Sequence, residues 1–390
     1  MRIGIYVDVA RDAKPTGIGK HVLHLIQALA ELDQKNEYRL YYPSRAWGRT
    51  DDFAHCPAQV NFRSRPVRFP RRWEAEHPRV WWQYYLPWVL RRDGIDVFHG
   101  PNHFVPCFDP ARTVVTIHDI AYFHMEVHGA GMDQVMRDWT RKALDWSGAV
   151  IALSENTRRD VEGIGCAPDK IKVIYGGGSV ISNEKIAFER LGELRQTMNL
   201  PPKYLLFVGA LQPRKNVPFL VKAYAKLLAE RSIEEHLVLA GPKSDATAEI
   251  EALVASLGIS DRVHLTGYLD DWQLPLLYKG ASAFVLPTRY EGFTLVTLEA
   301  MAYGTPVIAT ESSSIREGVG DAALLVEVDN IPALSGAIER VLTEESFRAE
   351  LVRRGTERAK RFTWQQCAKD TLALYESMAK HKPQTSRVSA

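Results

Sequence analysis

"KYLLFVGALQPRKNVPFLVKAYAKLLAE", residues 203–230, reads as an apolar strand, a polar loop and an amphipathic helix. The same three pieces open the chain: "RIGIYVDV" at 2–9, a glycine-containing loop, then "GKHVLHLIQALAEL" at 19–32. A strand that runs through a short loop into a helix is the first unit of a doubly wound parallel sheet. The repeat is one of architecture rather than of residues, so it implies two α/β domains of the same kind.

Further strands are expected at "YRLYYP", "DVFHG", "TVVTIHD" and "AVIALS" in the first half, and at "HLVLAG", "VHLTGY", "AFVLP" and "PVIAT" in the second. The stretch from Ile174 to Pro202 carries glycines, a polar helix and paired prolines, as a linker does. The expected organisation is a Rossmann-like domain over 1–180, a linker over 181–202, a second Rossmann-like domain over 203–360, and a helix over 361–390 that returns to the first domain. The last residues, "HKPQTSRVSA", are polar and expected to fray.

At 390 residues the chain has room for two cores. Its 49 basic and 47 acidic side chains nearly cancel to +2, which gives no sign of a nucleic-acid partner. The four cysteines form no C-x-x-C pair, so neither a zinc site nor a disulfide framework is indicated, and a cytoplasmic setting fits. The N-terminus lacks the pattern of a signal peptide, and no stretch approaches the roughly 18 apolar residues of a membrane span.

The chemistry concentrates in "AFVLPTRYEGFTLVTLEAMAYGTPVIAT", residues 283–310, a strand, loop, helix and strand. Thr294 stands where a helix cap belongs, Gly304 where a helix stops, and Pro306 prevents continuation. Glu291 therefore lies before a helix at the carboxyl end of a strand, and Glu299 about a turn inside it. The backbone N–H groups of Phe293, Thr294 and Leu295 and the helix dipole favour an anion such as a diphosphate, and Gly292 allows close approach. A phosphate flanked by two carboxylates needs uncharged partners for them, and sugar hydroxyls on either side make the ligand a nucleotide sugar. In the opening stretch, Arg214 and Lys215 follow a strand and would neutralise a diphosphate leaving group.

This constellation resembles the E-x7-E motif of the retaining glycosyltransferases of family 4, and the likeness in layout runs from "TGIGKH" to the last helix. The resemblance implies the GT-B fold, with two facing Rossmann-like domains, parallel sheets and a C-terminal helix crossing back. It implies a catalytic set of His118, Glu291, Arg214 and Lys215, with Glu291 on the donor sugar and His118 near it. Glu299 would hold the nucleotide ribose, and Gly17, Gly19, Gly209, Gly267, Tyr268, Gly292, Phe293, Thr294 and Leu295 would line the donor site. No metal and no cofactor is implied beyond the nucleotide-sugar substrate. Thr294 and Val296 replace a glycine and a proline common in relatives; neither removes an N–H, and the Thr294 hydroxyl could itself reach phosphate.

Other features leave alternatives open. Gly17 and Gly19 also suit a plain tight turn, and "GIGKHV" is not a dinucleotide fingerprint because Val22 takes the third glycine position. His118, at the end of "TVVTI", would present a neutral donor to a substrate hydroxyl, with Asp119 orienting its ring. His124 and His128 stand at helical spacing, so a metal site is a competing reading there. Residues 62–92 interleave Arg63, Arg65, Arg68, Arg71 and Arg72 with Trp73, Trp81, Trp82 and Trp88. That pattern suits peripheral contact with an anionic membrane or a lipid-linked acceptor, and equally the packing of arginine stems and tryptophans over a core helix.

The expected reaction is metal-independent transfer of a hexose, with retention, to a glycan or lipid-linked saccharide in cell-surface polysaccharide synthesis. "FHGPNHFVP" and "TVVTIHDIAYFH" resemble bacterial mannosyltransferases of O-antigen assembly, which implies GDP-mannose. A UDP-sugar donor competes with it, and from other classes so do a nucleotide-sugar 2-epimerase and a non-catalytic sugar-binding module.

Overall fold

The computed structural model describes residues 1–380 except 13, 16, 45–52, 69–76, 179–187, 245 and 271. Arg71, Arg72 and Trp73 thus lie outside the described residues, as does the tail after Lys380. The chain divides into two compact units, one of residues 1–176 with 364–390 and one of residues 177–363.

Unit 1 is built on β1 (Arg2–Tyr6), β2 (Glu37–Ser44), β3 (Phe62–Arg68), β4 (Val97–Gly100), β5 (Thr113–Ile117), β6 (Ala149–Ala152) and β7 (Ile171–Val173). They form one parallel sheet in the order β3-β2-β1-β4-β5-β6-β7. Unit 2 is built on β8 (Tyr204–Val208), β9 (His236–Ala240), β10 (Val263–Gly267), β11 (Ala283–Leu286), β12 (Val307–Thr310) and β13 (Leu324–Val326), in the parallel order β10-β9-β8-β11-β12-β13. Both sheets reverse direction beside their first strand, the doubly wound arrangement. The inner strands β4, β5, β6, β8, β11 and β12 are buried at every residue, because helices cover both faces of a parallel sheet.

Three strands escape the sequence pattern, all at or beside sheet edges. β3 is "FRSRPVR", an edge strand whose Pro66 and arginines protect it from further pairing. β7 and β13 are three residues each. Within the stretch read as linker, helix Phe188–Met198 is an element of unit 2 and buries Leu191 and Leu194. Helix Glu345–Ala359 packs on helix Leu295–Ala302, with Gly355 against Met301, so it stays with unit 2. Helix Trp364–Lys380 belongs to unit 1, where it packs on helix Gly17–Leu32 and its Tyr375 hydroxyl lies 2.6 Å from His99 Nδ1 on β4.

The arginine- and tryptophan-rich stretch separates into two roles. Arg65 forks onto the buried Asp93 at 2.6 and 3.1 Å, and Trp81 and Trp82 sit in a core with Tyr41, Leu86 and Phe98. Those residues pack rather than face a membrane. Val80, Tyr84 and Trp88, four apart along the helical run 78–92, are 37, 68 and 52 % exposed. Among the described residues, no helix is long and apolar enough to cross a membrane.

Candidate active site

In unit 2 the sheet reverses between β8 and β11, so the loops that follow these neighbouring strands diverge and leave a crevice where ligands of open α/β sheets bind. The loop after β8 makes a tight turn at Pro213–Lys215 and ends on Asn216, in the left-handed region at φ 55°, before helix Val217–Glu230. The loop after β11 leads through Glu291 into helix Leu295–Ala302. The two loops are stapled together: Arg289 N–H and the Thr288 hydroxyl donate to the Arg214 carbonyl at 2.9 and 3.1 Å.

This staple brings the predicted charges into one cluster. Lys215 Nζ donates to Glu291 Oε1 at 2.5 Å, and Arg214 Nη1 to Glu291 Oε2 at 3.2 Å and to the Tyr290 carbonyl at 3.1 Å. The three side chains are 11, 17 and 8 % exposed for Lys215, Arg214 and Glu291 respectively. Burial alone would raise the Glu291 pKa; the Lys215 and Arg214 charges outweigh it and hold the carboxyl below its ordinary value. A carboxylate kept ionised and two cations at the sheet's reversal point can grip both a sugar hydroxyl and a diphosphate.

Two serines hold the main chain of Glu291. Its N–H donates to Ser313 Oγ at 2.7 Å, and the Ser314 hydroxyl donates to its carbonyl at 2.8 Å. Sequence reasoning missed both, since "ESSS" after β12 has no spacing relation to the motif. It also missed Gly241 at the end of β9, where an added Cβ would lie 2.0 Å from the Gly209 carbonyl oxygen. Gly209, Gly241 and Gly267 end adjacent strands at φ 155°, 153° and 72°, which brings bare backbone to the carboxyl edge of the sheet, with Tyr268 half-buried beside it.

Two expectations about single groups change. Thr294 precedes the helix without a side-chain cap; it is 1 % exposed and its hydroxyl pairs with Thr297 Oγ1 at 2.8 Å, so it faces the interior instead of a phosphate. Gly318 makes room for it, as a Cβ there would meet the Thr294 methyl at 2.6 Å. Gly292 is buried, Phe293 rests its ring on Phe362, and Leu295 begins the helix whose first-turn N–H groups lack intrahelical acceptors. Glu299, half-buried a turn further, accepts from the Tyr278 hydroxyl at 3.0 Å.

In unit 1, His118 follows β5 and lies in a buried group with His21, His99 and His103. Its Nε2 is 2.7 Å from the Pro101 carbonyl, which accepts only, so that nitrogen carries the proton and Nδ1 is the acceptor. The ring's other nitrogen is thus able to accept a hydrogen bond and not to give one, the reverse of the expected donor; Pro101 orients the ring, and Asp119 accepts from Ala121 N–H at 3.1 Å. Burial lowers the pKa of all four histidines, to about 3 for His99 and about 4 for His103. Gly17 is exposed at the start of its helix with open space around it. Gly19 is buried, and a Cβ there would meet the Val9 carbonyl at 2.6 Å, a packing reason for that glycine. His124 lies 3.5 Å from Asp160, and among the described residues no three His, Cys, Asp or Glu side chains gather as a metal site would require.

A doubly wound pair of units with this crevice is the fold of GT-B glycosyltransferases, and the chain belongs to the family 4 glycosyltransferases. Residues 15–178 match Glycosyltransferase Family 4 and residues 193–358 match Glycosyl transferases group 1. The chain is 29 % identical over 371 residues to the O-antigen chain mannosyltransferase B of Escherichia coli, which covers 93 % of this chain and 96 % of that one. It is 38 % identical over 178 residues to the MMP alpha-(1->4)-mannosyltransferase of Mycolicibacterium hassiacum, 45 % of this chain and 43 % of that one. Among solved structures, sucrose-phosphate synthase from Thermosynechococcus elongatus superposes with a TM-score of 0.75 at 22 % identity, covering 98 and 100 % of the two chains. Anabaena HepE in complex with UDP and glucose gives 0.74 at 19 %, covering 97 and 100 %.

Proposed function

We propose that this protein is a retaining, metal-independent hexosyltransferase that moves mannose from GDP-mannose to a saccharide or lipid-linked acceptor in polysaccharide assembly. The observation that carries the reading is the Glu291, Lys215 and Arg214 cluster at the sheet's reversal point, beside a helix N-terminus. Mannose and polysaccharide assembly rest on the relatives above, two of which are named as mannosyltransferases.

In this mechanism Lys215, Arg214 and the first-turn amides of helix Leu295–Ala302 stabilise the negative charge that grows on the departing GDP. Glu291 holds a hydroxyl of the mannose as its ring gains oxocarbenium character, and Glu299 holds the ribose. His118 accepts a hydroxyl through Nδ1. The C1–O bond to phosphate breaks as the acceptor oxygen bonds C1 from the same face, and the acceptor proton passes to the phosphate oxygen that leaves. Glu291 is then a positioning carboxylate, fixed through its main chain by Ser313 and Ser314.

The protein works in the cytoplasm on this reading, in peripheral contact with an anionic membrane through the exposed Val80, Tyr84 and Trp88 face. Arg79, Arg91 and Arg92 are exposed on the same helical run. A Tyr84→Ala, Trp88→Ala double variant should lose cosedimentation with phosphatidylglycerol vesicles, and unchanged cosedimentation would remove the membrane contact. For the donor, GDP should raise the melting temperature and UDP should not. Stabilisation by UDP alone would replace GDP-mannose with a UDP-sugar.

A further inference from the structure

Tyr278 is a buried phenol that the proposed reaction does not use. It lies in helix Gln273–Gly280, 1 % exposed, with its ring stacked on Tyr303 at 6.0 Å and edge-on to Phe284 at 5.7 Å. Its carbonyl accepts from the Thr305 hydroxyl at 2.6 Å, so backbone and ring are both fixed. Its own hydroxyl donates to Glu299 Oε2 at 3.0 Å. Burial and the neighbouring Glu299 carboxylate raise its pKa well above the ordinary value, which keeps it a donor at any working pH.

Glu299 has the opposite problem. It is half-buried on a helix surface, and a glutamate there loses rotamer freedom when a ligand fixes it. A carboxylate that meets two adjacent hydroxyls must present both oxygens in one plane. We infer that Tyr278 is a positioning residue that sets the plane of Glu299 for the ribose diol of the donor nucleotide. The bond on Oε2 stops rotation of the carboxylate before the ligand arrives, and leaves lone pairs on both oxygens for the two hydroxyls. Recognition of a ribonucleotide then depends on a phenol that does not touch it. The inference rests on the reading of Glu299 as the ribose ligand.

The test compares GDP with 2′,3′-dideoxy-GDP, and UDP with its dideoxy analogue, by calorimetry on the full chain. The native protein should bind the ribonucleotide at least about tenfold tighter, the value of a charge-assisted hydrogen bond. In Tyr278→Phe that ratio should shrink at least about threefold while dideoxynucleotide affinity stays within about twofold, since only the diol contact is loosened. A ratio unchanged in Tyr278→Phe overturns the inference, and so does equal weakening of both nucleotides, which is what a purely structural tyrosine would give. Glu299→Ala separates the two levels. If it abolishes the ratio while Tyr278→Phe keeps it, Tyr278 alone is misassigned; if it keeps the ratio, the ribose reading of Glu299 falls and the inference with it. Should Tyr278→Phe fail to fold, Glu299→Asp withdraws the carboxylate from the phenol at a half-buried position. It should show the same reduced ratio, and a native ratio there overturns the inference.

Discussion

Glu291→Gln should make the protein less stable and its grip on GDP stronger while ending transfer. Glu291 is 8 % exposed between Lys215 and Arg214, and Gln keeps its size while removing the charge both cations answer. Breaking a buried ion pair on one side costs about 3–5 kcal/mol. Lys215 and Arg214 keep an edge of solvent, at 11 and 17 % exposure, and the amide oxygen still accepts one hydrogen bond. The expected loss is therefore about 2 kcal/mol, or about 4–8 °C in Tm for a domain of this size. The same cations, no longer matched by an internal carboxylate, face the diphosphate with more unbalanced charge, and GDP should bind about three- to tenfold tighter. Differential scanning fluorimetry with and without GDP, calorimetry and a transfer assay read the three effects. Native stability, or weaker GDP binding, would refute the reading that Lys215 and Arg214 answer both the Glu291 carboxylate and the diphosphate.

Acid should destabilise unit 1 through its histidines. Unfolded imidazoles protonate near pH 6.5, whereas the buried ones do so lower, about 4 for His103 and about 3 for His99. Their contribution is complete above about pH 6.5 and is lost as pH falls towards 4, at up to about 1.4 kcal/mol per pH unit for each histidine. Of the 9 tryptophans only Trp272 lies in unit 2, so urea melts by tryptophan fluorescence at pH 7 and pH 5 report this directly. Gly241→Ala combines a φ of 153° with a Cβ 2.0 Å from the Gly209 oxygen, and should cost about 3 kcal/mol or more and abolish GDP binding, as followed by fluorimetry. EDTA should leave the transfer rate unchanged, and a rate restored by added divalent cation would contradict the metal-independent mechanism.

The central strands were legible because each is a continuous apolar run that a parallel sheet buries on both faces, as "YLLFV" and "AFVL" show. β3 was not, since its arginines and Pro66 suit an edge, and a reading by composition assigns them to a ligand; only the sheet shows that Arg65 answers the buried Asp93. In the site, Glu291, Arg214 and Lys215 were legible as charged residues in loops after strands. Their direct pairing was not, because it depends on β8 lying beside β11, although their loops are some 76 residues apart in sequence. Hydroxyls leave still less trace: Ser313, Ser314 and Tyr278 act through single bonds to groups more than 20 residues away. The direction of the His118 hydrogen bond likewise follows from where the Pro101 carbonyl stands, which no residue type announces.

The most direct test of the central claim is the anomeric configuration of the product formed from GDP-mannose and a mannose-terminated oligosaccharide primer, read by NMR. The account predicts an α-mannosyl linkage, the configuration of the donor, formed by the native protein and absent with Glu291→Gln. A β linkage, or a product of native yield from Glu291→Gln, would contradict it.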